Sequence, residues 1–142
     1  MKVREIMTPR PVAVGTDEPV SAAARLLSRY NLGALPVCDA AGRLRGMVTD
    51  RDIVLRCVAL DSDPASTRVS EIMSRAVTAV EPSAEVAEAV RVMSRSQVRR
   101  LPVTENGRLA GMVTLCDLAR REDCRMECAQ AMEAVSANIT RR

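Results

Sequence analysis

The chain has 142 residues, 47% of them hydrophobic and 27% charged, with a formal net charge of +3. That length suits one compact domain or two very small ones, and no apolar stretch approaches the ~20 residues a membrane span needs. There is no His, Trp or Phe and a single aromatic, Tyr30, which removes Ser–His and Cys–His nucleophiles, the commonest metal ligand and the stacking platforms of single-strand nucleic-acid binders.

The opening residues Met1-Lys2-Val3-Arg4-Glu5 hold no apolar signal core,. The five cysteines are odd in number and follow no framework, so they read as reduced thiols of a cytoplasmic protein. Lys2 is the sole Lys, and no block of basic residues stands out. Neither a nucleic acid nor a membrane is expected as a partner.

In chain order, Pro11 to Val14 reads as a short extended piece. Asp17-Glu18-Pro19 starts a helix with acidic capping residues, and Val20, Ala23, Ala24 and Leu27 mark its apolar face,. Ala34-Leu35-Pro36-Val37 is a strand, Asp39-Ala40-Ala41-Gly42 a turn, and Leu44 to Val48 the returning strand,. Thr49 caps a helix bearing Ile53, Val54, Cys57 and Val58. The polar run Asp61 to Ser66, with Pro64, is a loop,.

Then the chain repeats itself. Val3-Arg4-Glu5-Ile6-Met7-Thr8 returns 66 residues later as Val69-Ser70-Glu71-Ile72-Met73-Ser74, and Leu35-Pro36-Val37 returns as Leu101-Pro102-Val103. One residue is lost in a turn; Gly46-Met47-Val48-Thr49 then returns 65 residues later as Gly111-Met112-Val113-Thr114, and Asp52 as Asp117. Matches that keep order and register, with the one gap in a turn, mark a duplication. The second helix carries Val86, Ala89, Val90 and Met93, and its hairpin turns on Asn106-Gly107, a type I′ signal,. The division along the chain is 1–60 for the first copy, 61–68 for a linker, 69–122 for the second copy and 123–142 for a helical tail. In that tail Cys124, Cys128, Ala131, Met132, Val135 and Ile139 form one stripe, for docking on the body or on a second chain,. Cys124 and Cys128 share a helical face but lack two further ligands, so they read as packing residues and no metal is expected.

Two features carry chemistry. The first is the turn Gly46-Met47-Val48-Thr49-Asp50-Arg51-Asp52 and its copy Gly111 to Asp117. The Gly lets another group come close to the backbone. Thr offers a hydroxyl beside free helix amides, and an Asp three residues on can accept both hydroxyls of a ribose. The alternative is a capping box, in which Thr and Asp only satisfy the helix end. The second is Gln97-Val98-Arg99-Arg100-Leu101-Pro102, where two Arg stand ready to meet phosphate,. Its alternative is a solvated basic edge that discourages aggregation. The first copy has Gly33 and Ala34 there, so the two phosphate sites are unequal.

The duplicated unit, its apolar-Pro-Val strand and its Gly-apolar-x-Thr-x-x-Asp turn resemble the cystathionine β-synthase (CBS) domain family, over about residues 1–122. The resemblance implies an α+β fold: two β-α-β-β-α domains in tandem, a Bateman module, packed about a pseudo-twofold axis, with a C-terminal helix added. It implies a regulatory protein and not an enzyme, needing no cofactor, that binds AMP, ADP, ATP or S-adenosyl compounds in clefts between the domains. Such a protein dimerises and signals energy or stress state to a protein partner; the alternative is a ligand-free structural module. The ribose acid maps to Asp52 and Asp117, its neighbouring hydroxyl to Thr49 and Thr114, and the phosphate position to Arg100 with Arg99 beside it. Arg51 and Arg68 are lesser phosphate candidates. Adenine would lie near Val14 and Pro36, or Val80 and Pro102.

Overall fold

The two apolar-Pro-Val segments form the strands around which each half is built. In a computed structural model, which describes residues 1–139, the chain opens with a 3₁₀ turn at Val3–Glu5. There follow β1 (Thr8–Pro9), β2 (Val14–Gly15), α1 (Val20–Tyr30), β3 (Ala34–Cys38), β4 (Leu44–Thr49) and α2 (Asp50–Ile53), which passes into a π-helical turn at Val54–Val58. Then come α3 (Val69–Ile72), α4 (Val86–Ser96), β5 (Arg100–Glu105), β6 (Arg108–Thr114), α5 (Leu115–Ala119), a 3₁₀ turn at Glu122–Cys124 and α6 (Arg125–Ile139). The α+β class expected from the sequence is the one observed.

Packing does not follow the order of the copies. Val12–Val77 form one compact unit; Met1–Pro11 form the other together with the chain from Thr78 onward. Set against the sequence divisions 1–60 and 69–122, each unit has taken the opening segment of the other copy. Strand pairing is the reason. β1 lies antiparallel on β6, with Thr8 opposite Met112. In the other unit Ser74 lies against β4, exchanging both backbone hydrogen bonds with Met47 at 3.0 and 2.9 Å. The expected linker joins in as well, since Val20 N–H donates to the Thr67 carbonyl and Ser21 N–H to that of Pro64.

Within the Val12–Val77 unit the sheet order is β2-β3-β4, with β2 parallel and β4 antiparallel to β3. Leu35, Val37 and Val48 form its core with Val20, Ala23 and Leu27 of α1 and Val69, Ile72 and Met73 of the exchanged segment. Within the other unit the order is β1-β6-β5, and Val80 bridges Val103 in parallel. Leu101, Val103 and Val113 form its core with Val86, Ala89, Val90 and Met93 of α4 and Val3 and Ile6 of the opening turn. Helix α6 packs on α4 and α5 of this unit through Cys128, Ala131 and Val135, so the tail docks on its own body.

Four local expectations need correction. Asp17 and Glu18 do not cap α1; the helix starts after Pro19, and the Glu18 carboxylate accepts the Gly15 N–H at 2.7 Å. Val54 and Val58 do not join the core: beyond Ile53 the π-helical turn shifts the helical phase, buries Cys57 and leaves both Val exposed,. Met132 is exposed beside the buried stripe of α6, and the Ile139 side chain lies outside the described residues. The Gly before each Thr serves the fold. A Cβ on Gly46 would run into the Ser74 carbonyl oxygen, and one on Gly111 would stand 2.7 Å from Met7 Sδ and 2.8 Å from the Thr8 carbonyl oxygen. The group that comes close is the exchanged backbone of each unit.

The two hairpins turn differently. Asn106 and Gly107 both hold positive φ, 54° and 80°, as a type I′ turn requires,. The longer first turn is organised by Asp39, whose Oδ1 accepts the N–H groups of Ala41 (2.9 Å) and Arg43 (3.0 Å) while Oδ2 takes Arg45 Nε at 2.8 Å. These bonds, the Arg43 amide foremost, hold its carboxyl below the usual carboxylate range. A lowered folded-state pKa means stability that is present above the unfolded-state value and lost as pH falls through the folded one. Urea midpoints of the native protein are therefore expected to drop on acidification through that window, and Asp39→Asn to flatten that part of the profile.

Candidate functional site

Strand alternation decides what each sheet presents beside its Thr–Asp corner. Leu35, Val37 and Val48 point into one core, which leaves Ala34, Pro36, Met47 and Thr49 on the other face of that sheet; Ala34 stands opposite Thr49 and Pro36 opposite Met47. In the second unit Leu101, Val103 and Val113 are core, and Arg100 stands opposite Thr114 and Pro102 opposite Met112. Met47 and Met112 were missed in the sequence, although counting by two from each Thr reaches them.

Thr49 closes β4 and caps α2. Its Oγ1 accepts the Asp52 N–H at 3.0 Å, while the Thr49 N–H donates to Asp52 Oδ2 at 2.9 Å. Thr114 repeats this on α5: its Oγ1 accepts the Asp117 N–H at 3.2 Å, and its N–H and hydroxyl donate to Asp117 Oδ2 at 2.8 and 3.1 Å. Both acids thus make the capping box that the sequence allowed as the alternative.

Capping occupies one carboxylate oxygen of each. Among the described residues Asp52 Oδ1 has only Arg56 Nε, at 3.9 Å, and Asp117 Oδ1 only Arg120 Nη1, at 3.8 Å. Both separations exceed a direct hydrogen bond and suit a water or a ligand hydroxyl between the groups. The Asp side chains are 14% and 9% exposed. Among the described residues no buried side-chain oxygen or nitrogen lacks a partner, so each Oδ1 reaches solvent. Arg56 lies four residues beyond Asp52 and Arg120 three beyond Asp117, and helical spacing alone could have found them.

The remaining candidates divide. Leu115 N–H donates to the Arg99 carbonyl at 2.9 Å, and Asp50 N–H to that of Gly33 at 3.2 Å. Those bonds bring Arg99 and Arg100 to the Thr114 corner, and Gly33 and Ala34 to the Thr49 corner. Arg51 is exposed on the first turn of α2. Arg68 does not reach Thr49 within its unit. It follows the far end of the sheet, bridged to Pro19 and 3.9 Å from the exposed Asp17, whereas Thr49 sits at the Ala34 end. Val14 and Val80 are opposite Val37 and Val103 and belong to the cores, so their side chains leave the face that holds Pro36 or Pro102.

A family model for the CBS domain matches residues 3–58 and again residues 69–123. The chain belongs to the CBS-domain family and carries two copies in tandem. This CBS pair is 40% identical over 117 residues to hypoxic response protein 1 of Mycobacterium tuberculosis, covering 82% of each chain. It is similar to the crystal structure of Hypoxic Response Protein I with two coordinated zinc ions, at TM-score 0.79 and 39% identity, over 85% of this chain and 98% of that one. It also resembles the CBS domain pair of protein MJ0100 in complex with 5′-methylthioadenosine and S-adenosyl-L-methionine, at TM-score 0.73 and 27% identity, over 84% and 94% of the two chains. For CBSX2 in complex with AMP the values are 0.73 and 28%, over 84% and 93%.

The chain has no His, and among the described residues no three Cys, Asp or Glu side chains gather as a metal site, so the ligand set that zinc takes is not assembled there. Burial pushes the thiols of Cys38 and Cys124 up from their ordinary value, which keeps them protonated near neutrality,. Among the described residues no helix is long and apolar enough to cross a membrane.

Proposed function

We infer that this CBS pair is a regulatory protein that binds adenosine-type ligands, AMP, ADP, ATP or S-adenosyl compounds, at its Thr–Asp corners. The observation that carries this reading is the division of labour within each carboxylate: Oδ2 holds the helix end, and Oδ1 reaches solvent with no direct hydrogen bond among the described residues. An ionised oxygen so placed accepts a sugar hydroxyl without cost to the cap. Met47 and Met112, half-buried beside the buried Pro36 and Pro102, are the aliphatic groups adenine would meet in a chain almost without aromatics. The complexes of CBSX2 with AMP and of the MJ0100 pair with adenosyl compounds support the ligand class.

In this reading the protein acts in the cytoplasm, catalyses nothing, needs no cofactor and reports energy or stress state to a protein partner through the packing of a homodimer. The exposed apolar residues Val54, Leu55, Val58 and Leu60 are the face that dimer would cover,. A ligand biases such packing only through different affinities for its two states. The complete capping boxes favour a second reading, a structural module that binds a partner without a nucleotide.

Titration calorimetry and thermal shift with AMP, ADP, ATP and S-adenosylmethionine separate the two. The regulatory reading expects binding and a stabilisation of about 2.7 kcal/mol at a ligand concentration of one hundred times Kd, lost in the double variant Asp52→Ala, Asp117→Ala. If no ligand gives heat and each substitution costs only ~0.5–2 kcal/mol of capping energy, the structural module takes its place. Mass spectrometry of gently purified protein adds a direct look for a co-purifying nucleotide.

A further inference from the structure

Arg56 touches both the Thr49–Asp52 corner and the exchanged segment Val69–Ser74. It stands in the π-helical turn four residues beyond Asp52. Its Nη1 donates to the Ile72 carbonyl at 3.1 Å and, less closely, to that of Met73 at 3.5 Å. Those carbonyls close α3, where a helix end leaves them without intrahelical partners,. The same guanidinium turns Nε toward Asp52 Oδ1 and stops 3.9 Å short of it. An Arg four residues past an Asp on a helix can close to a direct ion pair; here Nη1 is engaged elsewhere. The gap holds one oxygen. A hydroxyl fills it by donating to Oδ1 while accepting from Nε–H, which neither a carbonyl nor an ammonium group can do. The other corner is built differently. Arg121, the counterpart of Arg56 in the second copy, turns to Asp123, with Nε 3.3 Å from Oδ1. Arg120 faces Asp117 in its place, and among the described residues its side chain makes no hydrogen bond.

We propose that Arg56 is a positioning residue that ties occupancy of the Thr49–Asp52 site to the seating of the exchanged segment Val69–Ser74. The assignment rests on the adenosine reading above. A sugar hydroxyl between Asp52 Oδ1 and Arg56 Nε keeps both bonds only while the Ile72 carbonyl holds Nη1, because that bond aims the guanidinium. The ligand therefore binds the seated state more tightly than one in which the segment has come off β4, and by linkage it holds the segment down. The Thr114–Asp117 site, whose Arg120 holds no backbone, lacks this tie.

Amide hydrogen exchange of the full chain, with AMP as the probe at concentrations that calorimetry shows to saturate each protein, tests it. The readout is the Met73 and Ser74 amides, which donate to the Val69 and Met47 carbonyls and exchange when the segment opens,. In the wild type AMP is expected to slow both by roughly 5-fold or more. Arg56→Gln is expected to weaken AMP at this site by roughly 10-fold, within reach of saturation, and to abolish the slowing. Arg56→Lys does the same, because an ammonium group keeps the charge beside Asp52 without the fork that reaches both partners. Arg120→Gln leaves the slowing intact. Should Arg56→Gln not fold, Arg56→Lys decides alone. A merely structural Arg56 would speed exchange in the ligand-free variants and leave the slowing by AMP unchanged, and that result overturns the proposal. So does AMP that binds the wild type without slowing these amides; the adenosine reading survives either result. Failure of AMP, ADP, ATP and S-adenosylmethionine alike to bind the wild type overturns that reading, and this one with it.

Discussion

Replacing Gly46 by alanine is expected to lower stability by about 3 kcal/mol, and Gly111→Ala by a similar amount. The added Cβ on Gly46 meets the Ser74 carbonyl oxygen and Met73 Sδ, the latter at 2.9 Å. The obstacle is chiefly backbone, which cannot turn aside as a flexible side chain can. Moving it strains the paired hydrogen bonds between Met47 and Ser74 next door. At Gly111 the obstacles are the Thr8 carbonyl oxygen and Met7 Sδ, beside the pairing of β1 with β6. Gly42 is the control. Its Cβ would meet nothing within 4 Å, and only its φ of 82° opposes a side chain, so Gly42→Ala is expected to cost about 1 kcal/mol. Melting by circular dichroism reads the difference: a fall of roughly 10 °C for Gly46→Ala, and a small one for Gly42→Ala. Equal losses at the two positions would mean that the close approach of Ser74 has no energetic weight.

Leu35→Ala and Leu101→Ala are expected to be as damaging or more so, at about 2–5 kcal/mol each. These matched residues are 0% and 1% exposed and sit at the centre of their respective cores. Each precedes a Pro whose fixed ring limits how far its strand can shift into the space left behind. The cavity therefore stays open and its cost is added to the lost transfer energy. Leu32, 36% exposed just before β3, provides the contrast: Leu32→Ala is expected to change stability by no more than ~0.5 kcal/mol,. Chemical denaturation of the three variants gives the comparison, and a loss at Leu101 no larger than at Leu32 would show that the β5 core is loosely packed.

Much of this molecule is legible residue by residue. Asn106-Gly107 announces its turn because few other pairs accept two positive φ angles,. The α1 face on Val20, Ala23 and Leu27 follows from helical period, and both Thr–Asp corners follow from repetition of one short motif. What escapes the sequence is whatever depends on partners distant in the chain. The close neighbour of Gly46 could be a ligand or the protein itself, and only the fold says that it is Ser74. Val14 and Pro36 are both apolar and both near a strand start, yet the parallel pairing of β2 with Val37 sends Val14 to the core and strand alternation sends Pro36 to the opposite face. Arg68 is a phosphate candidate by its nearness to the second copy, and only the fold, through its bridge to Pro19, places it at the end of its own sheet away from Thr49. At the site, the sequence posed capping and sugar binding as rivals, and the geometry assigns capping to one oxygen and leaves the other open.

The traded opening segments bear on ancestry. Val3–Thr8 finishes a sheet whose other strands come from the second copy, and Val69–Ser74 finishes the sheet of the first. A solitary ancestor of this unit, keeping the same pairing, would have had to lend its leading segment to a sister molecule and borrow one in return. In the duplicated chain the exchange runs within a single polypeptide, so a cut at residue 61 would leave each half without the segment that finishes its sheet.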